Sequence, residues 1–164
     1  MKMKLTHHFS CSPERLWQIT ESDAFEARLA EASSSARALM EQRREADGTR
    51  YLRRRITAKR TLPAPMVKVL GTDQISYDQE TWHKENAPVL RWRILPQVLQ
   101  GRFHGEGTTT VAATAEGCSR TIEGELTIKV PLVGGQMEKK LVEDVSRSYD
   151  RAAEIIRQML REEA

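Results

Sequence analysis

Apolar and polar residues alternate from the start of the chain. Met3, Leu5, His7, Phe9 and Cys11 share one parity, and Lys2, Lys4, Thr6, His8 and Ser10 share the other. A period of two over residues 2–11 predicts a half-buried strand. Ser12-Pro13-Glu14 then opens a helix. Ser12 serves as N-cap, Pro13 stands at N1, where an N–H has no partner to lose, and Glu14 sits near the positive dipole end. Leu16, Trp17 and Ile19 supply its apolar side. Ser22-Asp23 caps a second, short helix through Phe25 and Leu29 to about residue 32.

Strand periods follow. Residues 35–45 and 49–60 flank Asp47-Gly48, a hairpin signal because glycine accepts the positive φ of a primed turn. Residues 61–71 hold Pro63 and Pro65 and predict a loop. Strands are predicted near 73–84 and 89–99, and again near 102–115 and 119–130 about Glu116-Gly117. In the last of these, Ile122, Gly124, Leu126, Ile128 and Val130 alternate with polar residues. Pro131 ends it, and Gly134-Gly135 are expected to supply the backbone angles of a corner. From about Gln136 the period becomes helical, with Met137, Leu141, Val145, Ser148, Ala152, Ile155, Ile156 and Met159 on one stripe. A helix of roughly 27 residues spans about 40 Å.

The expected architecture is one α+β domain over residues 1–164, a curved antiparallel sheet gripped by the long C-terminal helix. A strongly twisted sheet curls, and its concave face must be covered. A straight helix cannot touch a curved sheet everywhere, so a cavity between them is the expected by-product. The strand followed by "SPERLWQI", the hairpin series and the closing strand–turn–helix resemble the START-like, polyketide-cyclase-like helix-grip superfamily (SRPBCC type). The ending "IEGELTIKVPLVGGQMEKKL" is similar to that of an uncharacterised bacterial family within it, with its proline–glycine–glycine turn and a glutamate soon after. The resemblance implies the fold. Members bind lipids, hormones or polyketides, or catalyse cyclisations, on one scaffold, so it implies no single activity.

Composition excludes more than it selects. Of 164 residues, 39% are hydrophobic and 30% charged, as in an ordinary soluble globular protein. No apolar run approaches the roughly 18 residues of a membrane span. The N-terminus lacks the apolar stretch of a secretory signal, so a cytoplasmic address is expected. The net charge of +3 is mild, although Arg50, Arg53, Arg54, Arg55, Lys59 and Arg60 crowd one stretch. Only 5% of residues are aromatic, which speaks against base stacking and hence nucleic acid. Cys11 and Cys118 cannot form a disulfide framework, and the parity of Cys11 predicts a small buried hydrophobe. No nucleophile elbow or P-loop is present, and His7, His8, His83 and His104 lack metal-site spacing. Neither a cofactor nor a metal is expected, and no catalytic residue is assigned.

The function this favours is binding of a hydrophobic small molecule or lipid between sheet and helix. Trp92, Phe103, Met137, Leu141, Val145 and Ser148 are the expected lining. His7, on the apolar parity of the first strand, and Arg54, on a face with Leu52, Ile56 and Ala58, are the expected polar contacts. An inward guanidinium needs an anion, either a protein carboxylate such as Asp144 or a ligand. Arg53, Arg55 and Lys59 fall on the opposite, solvated face. The alternatives are a polyketide-cyclase-like enzyme using His7 or Asp144 as general acid/base, and an interaction module with a filled core. The 61–71 segment, with Met66, Val67, Val69 and Leu70 beside Lys68, is a candidate for peripheral membrane contact.

Overall fold

A computed structural model describes residues 1–58 and 62–163. Lys59 and Arg60, and the start of the segment expected as a loop at 61, lie outside these. The alternating N-terminal pattern forms β1 (Lys2–Phe9). The first helix, α1 (Pro13–Thr20), is capped by Ser12, whose Oγ accepts from the Arg15 N–H at 3.1 Å. The second, α2 (Asp23–Ser33), is capped by Ser22 and ends at Ser34 in the left-handed conformation. Six strands follow: β2 (Ser35–Arg44), β3 (Thr49–Ala58), β4 (Ser76–Lys84), β5 (Val89–Pro96), β6 (Phe103–Thr114) and β7 (Gly117–Ile128). Gly48, with φ +89°, closes the β2–β3 hairpin as its Asp-Gly signal predicts.

All seven strands form one antiparallel sheet in the order β1-β7-β6-β5-β4-β3-β2. Strands β1 and β2 are neighbours in the chain but form opposite edges. The two short helices make that crossing. The closing helix, α4 (Gly134–Glu163), packs chiefly against β7, β1 and α2. It thus grips one flank of the concave face and leaves the inward faces of β3, β4 and β5 for other elements to cover.

The apolar core divides accordingly. One cluster joins the second half of α4 (Ala152, Ala153, Ile155, Ile156) to α1, α2, Phe9, Val111 and Cys118. The other joins Met3, Trp92, Ile122 and Leu126 to Leu141, Val142, Val145 and Tyr149 from the first and middle turns of α4. Cys118 is wholly buried, whereas Cys11, expected inside, is only half-buried at the edge of the first cluster.

Two local expectations need correction. Within 61–71 the described residues include a helix, α3 (Ala64–Leu70), with Pro63 at its N-cap and Pro65 in its first turn. Proline breaks a helix interior but is well accommodated in the first turn. The corner before α4 does not use positive φ at Gly134 or Gly135 either. That conformation falls on Leu132, at φ +69°, whose side chain is wholly exposed. Gly134 serves a different purpose, since a Cβ there would run into the Ile128 carbonyl oxygen. The helix start and strand end are further tied by Glu138, whose Oε1 accepts from the Ile128 N–H at 2.8 Å.

The opposite parity of β3 is less solvated than expected. Arg53 Nη1 and Arg55 Nε each donate to the buried Asp78 carboxylate at 2.8 Å. The bonds to Arg55 and Arg53 hold that carboxyl below the usual range against the opposing effect of burial. These arginines therefore neutralise a buried charge on the convex side of the sheet.

Candidate ligand-binding cavity

Between the uncovered sheet face, α2, α3 and α4 lies a cavity of about 870 Å³. Trp92 forms part of its floor, in room made for the indole by two glycines. Gly107 of β6 pairs with Gly124 of β7, and Trp92 of β5 pairs with Gly107. A Cβ at either glycine would strike the Trp92 ring, so only glycine leaves room for the indole there. Trp92 is 3% exposed, and its Nε1–H has no acceptor among the described residues.

Of the residues expected in the site, Arg54, Trp92 and Phe103 line the cavity from the sheet side. Met137, Leu141, Val145 and Ser148 line it from α4, with Ser148 solvent-exposed. His7 does not line it. Its parity is right, since it is buried on the inward face, but β1 is the edge strand that α4 covers directly. There His7 Nε2 lies 2.8 Å from Asp150 Oδ1. Asp144 lines the cavity too, but it pairs with Lys140 at 3.2 Å and Arg147 at 2.8 Å. Arg54 instead faces Glu26 at 3.6 Å, and Glu26 is shared with Arg37 at 2.8 Å. In α3, Met66 and Leu70 line the cavity, while Lys68 and Val69 are exposed.

Several wall residues escape a reading by sequence pattern. Glu21, at the end of α1, meets His83 Nδ1 at 2.6 Å and Arg50 at 3.5 Å. His83 Nε2 is 2.9 Å from the Ala87 carbonyl, and its ring packs on Trp17 at 4.0 Å between centroids. Burial alone would lower this imidazole's pKa, but the bonds to Glu21 and Ala87 outweigh it and raise the pKa.

Arg120 is the other. It stands on β7 between Cys118 and Ile122, on the parity of the strand's apolar residues, and is only 5% exposed. Its Nη2 donates to His7 Nδ1 at 3.3 Å and to the Tyr149 carbonyl at 3.4 Å, while its Nε has no acceptor among the described residues. Phe9 and Tyr149 present their rings at 5.3 and 5.7 Å. Burial in this apolar niche pulls its pKa down to about 10. Applying to β7 the parity argument used for Arg54 would have placed Arg120 inward.

Because Arg120 donates to Nδ1, the neutral His7 tautomer carries its proton on Nε2 and donates it to Asp150. Burial, and then the nearby arginine charges, lower the His7 pKa despite the Asp150 bond. Among the described residues, no three His, Cys, Asp or Glu side chains converge as a metal site requires. No described helix is long and apolar enough to cross a membrane.

A curved antiparallel sheet gripped by a long C-terminal helix, with a cavity between them, defines a protein of the helix-grip class. The chain belongs to the family described as "Protein of unknown function (DUF2505)", which matches residues 4–160. No curated protein matches the sequence. Among solved structures it is similar to TTHA0849 from Thermus thermophilus, with TM-score 0.67 and 14% identity over 96% of this chain and 95% of that one. It is also similar to Ms6760 from Mycobacterium smegmatis, with TM-score 0.64 and 12% identity over 99% and 92%. A third similar structure is the Zhui aromatase/cyclase from Streptomyces sp. R1128, with TM-score 0.59 and 10% identity over 96% and 89%. At such identities the likeness concerns the fold.

Proposed function

We propose that the protein binds a hydrophobic small molecule or lipid in the cavity between the sheet and α4. The observation that carries this reading is the cavity's size and make-up. At about 870 Å³ it falls within the range of small-molecule sites, and its lining combines apolar side chains with a few placed polar groups.

A cyclase reading draws on the likeness to the aromatase/cyclase fold, but the polar groups suit it less well. His7 stands outside the cavity, and Asp144 is engaged by Lys140 and Arg147. His83 does line the cavity, yet both of its ring nitrogens are engaged, which leaves no lone pair to accept a proton. The binding reading is tested by native mass spectrometry of the purified protein, followed by solvent extraction. A retained apolar molecule, or saturable one-to-one uptake of an added apolar dye, is expected. A protein that arrives empty and takes up no apolar dye would contradict it.

A further inference from the structure

Seven cationic side chains line the cavity among the described residues: Arg37, Arg50, Arg54, Arg120, Lys140, Arg147 and Arg151. Only three carboxylates face them, Glu21, Glu26 and Asp144. The excess of four positive charges exceeds the net charge of the whole chain, +3. Most of these cations are accounted for. Arg37 and Arg54 share Glu26, Arg50 meets Glu21, and Lys140 and Arg147 share Asp144. Arg120 differs. It is the deeply buried one, it pairs with no carboxylate among the described residues, and its Nε–H is unmet. Asp150 reaches it only through the neutral His7 ring and is itself largely exposed, so its charge is mostly spent on solvent.

A buried guanidinium without an anion is costly, and such groups are normally paired. Here the low-dielectric surroundings that make the lone charge costly would also strengthen any anion placed beside it. We propose that Arg120 anchors the carboxylate of an acidic amphiphile whose apolar body occupies the rest of the cavity. The proposal rests on the cavity being a ligand site and names the ligand's class. A carboxylate is planar and matches the guanidinium fork, and its single charge matches the one cation here that is both buried and unpaired, since Arg151 is exposed to solvent. A fatty acid and a polycyclic aromatic acid share this chemistry and differ in the body attached to it.

The test is displacement of a neutral apolar dye, Nile red, from the full chain at neutral pH by matched acid and alcohol pairs. Palmitic acid is set against palmityl alcohol, and pyrenebutanoic acid against pyrenebutanol. In the wild type at least one acid is expected to bind roughly tenfold or more tightly than its alcohol. Its body, linear or polycyclic, then identifies the source. Arg120→Met is expected to remove that preference while leaving alcohol binding within about twofold. The preference should also survive roughly 0.3 M salt, because a buried pair is screened little. If acid and alcohol bind the wild type equally, the anchor is wrong although the cavity reading stands. If Nile red itself does not bind, both fall. A preference that persists in Arg120→Met, or that vanishes with salt, would move the anion to the exposed arginines and overturn the proposal. Should Arg120→Met fail to fold, the wild-type acid–alcohol and salt comparisons decide alone.

Discussion

At the scale of single residues, the two buried histidines respond to pH in opposite senses. His7 has a folded pKa below its ordinary value of 6.5, chiefly through burial. Its neutral form supports the fold, so its contribution is present above about 6.5 and is lost as pH falls through the folded pKa. His83 has a folded pKa above 6.5, because the bonds to Glu21 and Ala87 overcome burial. Its contribution is complete below about 6.5 and is lost as pH rises through the folded pKa. Urea titrations across this range should show the stability advantage over His7→Gln growing with pH, and that over His83→Gln shrinking. Slopes of the same sign would contradict the assigned protonation states. Arg54→Met should be mild, costing about 1 kcal/mol or less, since Glu26 keeps Arg37 and no carboxylate is stranded. Parity in the sequence was enough to turn Arg54 and His7 inward. It could not say that β1 lies under α4, where an inward face meets a helix and not a cavity. Nor could it pair Glu21 with His83, sixty-two positions away, because only the folded sheet brings them together.

At the scale of elements, the corner between β7 and α4 allows a sharp contrast. Gly134→Ala pushes a Cβ against the Ile128 carbonyl and should cost about 1–3 kcal/mol. Gly135 has open space around it, so Gly135→Ala should be neutral or stabilising by up to about 1 kcal/mol. Leu132→Gly should also stabilise, by up to about 1 kcal/mol, since it relieves a left-handed leucine that buries nothing. Chemical denaturation of the three variants checks the order. Equal losses at Gly134 and Gly135 would contradict the close approach. The Pro131–Gly135 stretch announced a corner, but a strained leucine beside two available glycines is not something composition suggests. α3 was hidden for a related reason. Pro63 and Pro65 read as loop residues, yet proline suits a helix start, and so short a helix is over before a period can emerge. The long elements were legible because a consistent pattern repeats along them: β7 over its alternating apolar residues, α4 over many turns of one stripe.

At the scale of the molecule, α4 does two different jobs along its length. The apolar side of its last turns packs into the closed core, with Ile156 wholly buried among α1, α2 and Phe9. Its first half borders the cavity, where Leu141 and Val145 are not fully covered. Ile156→Ala should therefore cost about 2–5 kcal/mol, as in a close-packed core. Leu141→Ala, which only enlarges an existing space, should cost clearly less, about 1–2 kcal/mol. Similar losses in denaturant titrations would mean that the interior is uniformly filled. The sequence pattern foretold a curved sheet and a covering helix. It did not reveal that the helix grips chiefly the β1–β7 flank, because that follows from strand order, which no local pattern encodes.

The central claim, that an apolar molecule enters between sheet and helix, can be read through the tryptophans. Trp92 lies on the cavity floor, whereas Trp82 lies on the opposite face, stacked with Arg91 at 4.6 Å. Two single-tryptophan proteins, one keeping Trp92 and one keeping Trp82, should be titrated with a brominated alkane chain carrying the preferred head group. The account predicts saturable quenching of Trp92 at one molecule per chain, with Trp82 unaffected. Quenching that is absent at Trp92, or equal at both positions, would contradict it.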